Sequence, residues 1–210
     1  DNAANTSVAD AVPAPDSTAK RLTGDERRRE ILAAVRTVSS ELGVSHLSVS
    51  AVTKRAGCTR SLFYHYFEDK EAVADAVLDD VIDEILTTLK QWNQARETGN
   101  VNKALDDIVH VLRSLIADES PFSNRMIQDG NAELYIKFID RAADRIADYI
   151  AQTTVRDFEQ MHGLPITNVH ETFFTLIVGL ISLIRSHPNI SDRTIKEVMA
   201  QTLHIESYVV

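Results

Sequence analysis

The stretch Ser48–Lys70, SVSAVTKRAGCTRSLFYHYFEDK, decides the fold of this chain. Ser48 is placed to cap a first short helix, because its hydroxyl can accept an amide hydrogen one turn further on. Gly57 then ends that helix, since glycine adopts the left-handed conformation that a side chain resists. Thr59 is placed to cap a second helix. The buried face of this second helix is marked by residues at three-to-four spacing: Leu62, Phe63, Tyr66 and Phe67.

The outer face of the second helix carries hydrogen-bond donors and an aromatic ring, without a carboxylate: Arg60, Ser61, Tyr64 and His65. Two helices around a short glycine turn, the second with a cationic outer face, are typical of a helix-turn-helix. The second helix of such a motif fits the major groove of DNA. The local pattern is equally typical of a helical hairpin that does not bind DNA.

A wider set of residues forms a specific signature: Ile31, Leu32, Ala34, Gly43, Ser48, Val49, residues 56–59, Tyr64, Tyr66, Phe67 and Lys70. With these residues, the sequence from Ile31 to Val73 resembles the N-terminal domain of the TetR family of bacterial transcriptional repressors. Three positions depart from the family pattern, where phenylalanine, alanine and glycine are usual: Ser39, Thr53 and Ser61. The resemblance implies an all-α chain with an N-terminal three-helix DNA-binding domain, joined by a long helix to a C-terminal helical ligand-binding and dimerisation domain.

Charge is distributed unevenly along the 210 residues, whose net charge is -9. Residues 21–70 hold nine basic and six acidic residues, a balance of +3, whereas residues 71–210 hold 12 basic and 22 acidic residues, a balance of -10. Such asymmetry is typical of a nucleic-acid-binding module joined to an acidic body. The polar composition of residues 1–22 predicts a disordered tail. The charge and the resemblance together predict a DNA-binding domain over residues 23–70, and the resemblance implies an effector-binding and dimerisation domain over residues 71–210.

Nine residues are predicted to contact DNA: Ser48, Ser50, Lys54, Thr59, Arg60, Ser61, Tyr64, His65 and Lys70. Arg60 has the fork geometry that pairs with guanine. Lys70 and the free amides of the helix that begins there suit a phosphate, a role that the resemblance also assigns to this lysine. A two-fold dimer would read a palindromic operator with half-sites ~34 Å apart, or a multiple of that distance.

Periodicity after residue 70 predicts a long fourth helix capped by Asp69, a fifth helix over residues 101–117, and a long helix that starts near Leu134 and is stopped by Gly163 and Pro165. A short segment from Phe122 to Gln128 precedes this last helix. The segment 169–186 is apolar nearly all round, which predicts burial on every side.

The resemblance implies that the last two helices of each subunit form a four-helix dimer interface. Gly179 and Ser182 favour this interpretation, because small residues let two backbones approach closely. The predicted interface residues are Phe173, Ile177, Gly179, Leu180, Ile184, Ile195, Val198 and Met199.

The resemblance further implies a small-molecule pocket within the C-terminal helices, whose occupation releases DNA. The candidates are polar or aromatic residues inside apolar stripes: His110, Arg113, Met126, Tyr135, Phe138 and Phe174. Each of them is equally well explained as a core or interface side chain.

Other classes of function have weaker support in the sequence. An enzyme is disfavoured, because the sequence has no glycine-rich phosphate loop, nucleophile elbow or helical pair of histidines around a glutamate. The seven histidines show no metal-ligand spacing, so we expect no metal and no cofactor. A helical adaptor that binds protein through its hairpin stays open.

The cellular setting is inferred from what the sequence lacks. We find no apolar run of about 18 residues and no secretory signal, so we expect no membrane partner. The lone cysteine, Cys58, cannot form an internal disulfide, and this fits a reducing cytoplasm.

Overall fold

The computed structural model describes residues 23–43, 47–117 and 132–209. These residues form nine α-helices, a 3₁₀ turn at Glu206–Tyr208 and no strand. The helices are α1 (Gly24–Leu42), α2 (Val49–Ala56), α3 (Arg60–Tyr66), α4 (Lys70–Ala95), α5 (Val101–Ala117), α6 (Ala132–Gln152), α7 (Thr154–His162), α8 (Val169–Ser186) and α9 (Asp192–Thr202). The tail over residues 1–22 and the segment from Phe122 to Gln128 lie outside the described residues.

The helices α2, α3 and α4 begin at the caps that the sequence predicts, and α1 also begins at a side-chain cap. At the start of α1, the Thr23 amide donates to Glu26 Oε2 at 2.7 Å and the Glu26 amide donates to Thr23 Oγ1 at 3.3 Å, which is a complete capping box. Ser48, Thr59 and Asp69 each accept an amide hydrogen bond from the residue three positions further on, at 3.2, 3.1 and 2.7 Å. These bonds set the helix starts locally.

The long helix predicted up to Gly163 is instead two helices, α6 and α7, which meet at Thr153. The Thr153 backbone leaves the helical region, with φ -124° and ψ -83°. Its hydroxyl donates to the Tyr149 carbonyl at 2.7 Å, a local bond that competes with helix continuation. Thr154 then donates to Asn93 Oδ1 at 2.8 Å, and Asp157 pairs with Arg96. Contacts with the end of α4 therefore accompany the break.

The hydrophobic core is one connected cluster that runs from α1 to the residues after α9. In the N-terminal part it contains Ile31, Val35, Val52 and Phe63, whose relative exposures are 0–1%. In the C-terminal part, α6 and α8 form the most extensive helix pair. The α4 helix contacts α1, α5 and α6, so it joins the two parts through shared packing.

The α8 helix is long and apolar enough, by length and composition, to cross a membrane. This corrects the expectation that no segment is so apolar, although helices of soluble cores meet the same criterion. Within the described residues 28% of the helix is buried, so this chain alone does not cover α8 on every side. A substantial part of α8 is left uncovered by the described residues.

Candidate nucleic-acid interface and effector cavity

The turn between α2 and α3 is set by the conformation of Gly57. Its backbone is left-handed, with φ +61° and ψ +34°, and its amide donates to the Thr53 carbonyl. The Cys58 amide donates to the same carbonyl at 3.0 Å, which completes the capping pattern of a helix that ends at a left-handed residue. The turn directs the chain into α3 without help from a distant residue.

The inner face of α3 is anchored by aromatic residues. Phe63 is fully buried and Phe67, just after the helix, is 4% exposed; their ring centroids lie 5.8 Å apart. The Arg28 guanidinium of α1 lies 5.2 Å from the Phe67 ring centroid, a distance that suits a cation–π interaction. Because these contacts fix the rotation of α3 about its axis, they also fix which residues face outward.

All nine residues predicted to contact DNA are exposed. Tyr64 is 53% exposed, and its ring meets the Phe63 ring edge-on at 5.4 Å. Within the described ranges, Lys54 and Arg60 have no ion-pair partner. Lys70 has only Glu71, at 3.6 Å, and both side chains are about two-thirds exposed (64% and 68%). The surface therefore offers three cations whose charge is little compensated.

The head, residues 23–70, is tied to the rest of the chain by Arg36 of α1. Its guanidinium donates to both carboxylate oxygens of Glu84 on α4, at 2.5 and 2.8 Å, and to Asp80 Oδ2 at 3.0 Å. The hydrogen bond from Arg36 is the main cause that lowers the pKa of Glu84, and the same bond raises the pKa of Arg36. Both groups are therefore held in their charged forms.

A second row of ion pairs joins α4 to α6. Three carboxylates at four-residue spacing on α4 pair with three cations at four-residue spacing on α6: Asp75 with Lys137 at 2.6 Å, Asp79 with Arg141 at 2.9 Å, and Asp83 with Arg145 at 2.5 Å. The pairs ascend both helices together, so they fix the axial position of α4 against α6, within the body, residues 71–209. The α4 helix is thus joined by ion pairs to α1 of the head and to α6 of the body.

A cavity of about 350 Å³ lies between α4, α5, α6 and α8. Its walls are mainly apolar, and its polar side chains come from α4, α5 and α8: Glu84, Thr88, Ser114 and Arg185. The volume and the few polar groups are typical of a small-molecule site. Since Glu84 lines this cavity and also holds Arg36, one carboxylate contacts both the cavity and the head.

Of the six predicted ligand-binding residues, only Phe138 lines this cavity. Phe174 lies outside it, and its neighbour Phe173, which the sequence assigned to the dimer interface, is in the wall. Adjacent residues on a helix point about 100° apart, so an error of one position is enough to move a predicted wall residue out of the cavity. Met126 lies outside the described residues.

His110 and Arg113 do not line this cavity; they lie in a contact between α5 and the start of α9. Arg113 donates to the Asp192 carboxylate and to the Ile190 and Pro188 carbonyls. The His110 side chain is 73% exposed, with Nδ1 3.7 Å from Asp192 Oδ2. Both residues hold the start of α9 against α5.

Tyr135 does not line the cavity, but it contacts Arg185, which does. Its hydroxyl accepts a hydrogen bond from Arg185 Nη1, and the Arg185 guanidinium lies 5.0 Å from the centre of its ring. Arg185 and Glu84 are the two charged cavity residues that sequence reasoning missed. One feature of the sequence could have identified Arg185 as a candidate: it is the only Lys or Arg in the apolar segment 169–186.

The predicted dimer residues divide into two groups. Five are buried in the core of the chain itself, with exposures of 0–7%: Ile177, Leu180, Ile184, Ile195 and Met199. Gly179 is exposed, while Phe173 and Val198 are partly exposed. The uncovered stripe of α8 carries small side chains at helical spacing: Thr175, Gly179 and Ser182. At Gly179 an added Cβ would meet no atom within 4 Å.

The described residues contain no group of three histidine, cysteine, aspartate or glutamate side chains that is able to hold a metal ion. His170 lies 3.3 and 3.4 Å from Asp144 and Asp148, which places it in an ion-pair contact between α8 and α6.

Comparison with known proteins gives a match for the head and a likeness for the whole fold. Residues 31–77 match the family model described as bacterial regulatory proteins, tetR family. Over 83 residues the chain is 25% identical to the HTH-type transcriptional regulator BetI of Klebsiella pneumoniae (strain 342), which covers 40% of this chain and 43% of that protein. The chain therefore spans less than half the length of the curated relatives it matches.

Solved structures extend the likeness to the body. A TetR-family transcriptional regulator from Mesorhizobium loti aligns over 90% of this chain and 97% of its own, with a TM-score of 0.63 and 15% identity. RolR in complex with resorcinol aligns over 88% and 91% of the two chains, with a TM-score of 0.56 and 18% identity. At these identities the likeness shows the fold.

The three-helix head presents an exposed, cation-bearing helix, α3, and one long helix joins this head to the helical body. This is the arrangement in which helix-turn-helix proteins present a recognition helix to DNA. Residues 31–77 match the TetR family of bacterial regulatory proteins, and the whole chain shares the fold of solved TetR-family structures. Members of this family are transcriptional regulators and not enzymes, which agrees with the function class expected from the sequence.

Proposed function

We propose that this protein is a cytoplasmic homodimeric repressor that binds a palindromic operator through residues 23–70 and is released when an effector binds within residues 71–210. The observation that carries this proposal is the α3 surface, where Arg60 is exposed and has no ion-pair partner in the described chain. A guanidinium in this state keeps its donors available for a base edge. The locally positive head supports the same conclusion.

Roles at the DNA follow from the chemistry of each exposed residue. Arg60 pairs with guanine, and Ser61 and His65 reach base edges. Tyr64 contacts a phosphate or a thymine methyl. The remaining five residues position the DNA backbone: Ser48, Ser50, Lys54, Thr59 and Lys70.

The experiment that tests DNA binding selects double-stranded sites from a random library and measures the affinity of the selected site by fluorescence anisotropy. Arg60→Ala should lose ~1–3 kcal/mol and relax base preference at one position, whereas Lys70→Ala should weaken all sequences alike and reduce the salt slope by about 1. Arg193→Ala is the matched control, because Arg193 is 86% exposed on α9, away from the head. Wild-type affinity in Arg60→Ala would refute the assigned role, and no selected site at any salt concentration would favour the adaptor.

The proposed dimer uses the outward stripe of α8, not the residues of the chain's own core. Phe174 and Val178 are partly exposed and flank the exposed Thr175, Gly179 and Ser182. A second copy placed here would cover apolar surface and let two α8 helices approach closely at Gly179. Two-fold symmetry then pairs one recognition helix with each half-site.

Sedimentation equilibrium tests the dimer. Gly179→Arg should weaken self-association by at least about tenfold, because it places a charge in a close helix contact. Gln91→Arg is the control, since it adds the same charge at an exposed position of α4. A monomeric wild-type chain at micromolar concentration, or a Gly179→Arg variant as dimeric as the control, would contradict the proposal.

The proposed release uses α4 as the connection between cavity and head. A ligand that repositions Glu84 alters the carboxylate that holds Arg36 of α1. The ligand must bind the conformer that does not bind DNA more tightly, and DNA must weaken the ligand by the same factor. Competition between a ligand and the selected DNA site tests this reciprocity, and independent binding of the two would overturn the proposed release.

A further inference from the structure

The cavity between α4, α5, α6 and α8 holds two charged side chains in different electrostatic states. Glu84 receives two hydrogen bonds from Arg36 and is therefore neutralised by a cation of the chain. Arg185 has no carboxylate partner among the described residues; its protein contact is the neutral Tyr135 hydroxyl, together with the face of the Tyr135 ring. Among the described residues, the uncompensated charge in the cavity is therefore positive.

The surroundings of Arg185 make its unpaired positive charge energetically costly. The side chain is part-buried and lines an otherwise mainly apolar cavity. A charge is costly to hold in such surroundings unless it is paired and hydrogen-bonded. A guanidinium presents five donors in a planar fork, and only one of them is used by Tyr135. The free edge of the fork matches the two oxygens of a carboxylate.

We propose that the effector is a small amphipathic carboxylic acid, whose carboxylate binds Arg185 and whose apolar body fills the cavity toward Phe138, Phe173 and Leu176. This inference rests on the proposed function only in calling the ligand an effector. Binding of a carboxylic acid in the cavity does not depend on DNA binding. Tyr135 is a positioning residue: its ring and hydroxyl hold the fork of Arg185 in place.

Neutral and cationic ligands of the same shape fit this site less well. A cation would compete with Arg36 for Glu84 and would meet the unpaired charge of Arg185. A neutral alcohol would fill the same apolar space but leave the guanidinium without a counter-ion. The carboxylate is therefore the head group that adds a charge-assisted contact to the apolar burial.

The test compares three probes that differ only at the head group: 4-phenylbutyrate, 4-phenylbutan-1-ol and 4-phenylbutylamine. Isothermal titration at pH 7 should show the carboxylate binding at least about tenfold tighter than the alcohol or the amine. Arg185→Gln should reduce the ratio of carboxylate to alcohol affinity to near one, and Arg185→Lys, which keeps the charge but not the fork, should give an intermediate ratio. Lys90→Gln removes an exposed cation of α4 as the matched control and should keep the wild-type ratio.

Equal affinity of the wild-type chain for the three probes, tighter binding of the amine, or absence of binding by all three would overturn the inference. An unchanged ratio in Arg185→Lys and Arg185→Gln would do the same. The same preparations are assayed on the selected DNA site. Specific DNA binding without carboxylate preference defeats this inference alone, whereas carboxylate preference without DNA binding defeats the proposed function alone.

Discussion

Removal of the contact between Arg36 and Glu84 tests whether α4 is held to the head by charge. The perturbation is a double-mutant cycle made of Arg36→Ala, Glu84→Ala and the combined variant. The guanidinium contacts both oxygens of Glu84 at 2.5 and 2.8 Å, so the pair has the fork geometry in which two hydrogen bonds share one orientation.

The magnitude follows from the exposure of the two side chains. Arg36 is 30% exposed and Glu84 is 60% exposed, so water screens much of the attraction. Exposed pairs contribute ~0.2–1 kcal/mol, and the bidentate geometry places this pair near the top of that range. We expect a coupling energy of about 1 kcal/mol in the free energy of unfolding. Arg36→Ala alone should lose somewhat more, because Asp80 also loses its cation, at 3.0 Å.

The assay is urea unfolding followed by far-UV circular dichroism, at one protein concentration for all four chains, since self-association shifts apparent stability. The coupling energy should fall as salt rises from low to near-molar concentration. A coupling energy of zero within the error of about 0.3 kcal/mol at low salt would refute the reasoning.

The coupling energy between Arg36 and Glu84 should also change with pH, in a direction that follows from the pKa of Glu84. The hydrogen bond from Arg36 lowers the pKa of Glu84 from its ordinary 4.5. A depressed carboxyl pKa stabilises the folded state fully above the unfolded-state value, and that contribution is lost as pH falls through the lower folded-state value. The coupling energy should therefore be constant from pH 7 down to about 4.5 and then decline. A coupling energy that grows as Glu84 is protonated would contradict this sign.

Three further variants test the head. Phe63→Ala should lose ~3–5 kcal/mol of unfolding free energy because Phe63 is fully buried, whereas Tyr64→Ala, at a site 53% exposed, should lose far less; equal losses would contradict the packing of α3. Gly57→Ala should lose ~1 kcal/mol from conformation alone, since φ is +61° and the added Cβ meets no atom within 4 Å; chemical denaturation that shows no loss would exclude a left-handed Gly57. Ser39→Ala should gain ~1 kcal/mol, because Ser39 Oγ is buried and has no hydrogen-bond partner in the described chain; a destabilised variant would mean that the hydroxyl has a partner.

Much of the head was predictable because its signals are local. Ser48, Thr59 and Asp69 cap helices through bonds that span three residues, and Gly57 ends α2 by its own backbone preference. The outward residues of α3 followed from the burial of Phe63. The long helix that divides at Thr153 was mispredicted, because apolar periodicity continues across a break that coincides with contacts to Asn93 of α4 and to Arg96, which directly follows α4.

The body shows which contacts the sequence did not predict. Apolar spacing identified α8 as a helix without a polar face, but it did not distinguish Phe173 in the cavity wall from Phe174 outside it. A helix that is apolar nearly all round has no hydrophobic direction in its sequence, so its rotation depends on its neighbours. His110 and Arg113 were polar residues in an apolar stripe, and their partner Asp192 lies about 80 positions away in the sequence.

The sequence by itself determined the helical class, the helix-turn-helix head and its exposed cations, because caps, glycine conformation and three-to-four spacing act within a few residues. Only the tertiary structure decided that Glu84 contacts Arg36 and also lines the cavity, and that Arg185 enters a mainly apolar space without a counter-ion from the part of the chain that the structure describes. The contact between Arg36 and Glu84 joins residues that are 48 positions apart in the sequence, and the contact between Tyr135 and Arg185 joins residues 50 positions apart. Pairing over such separations depends on how helices pack and rotate against one another, which no local pattern of residues specifies.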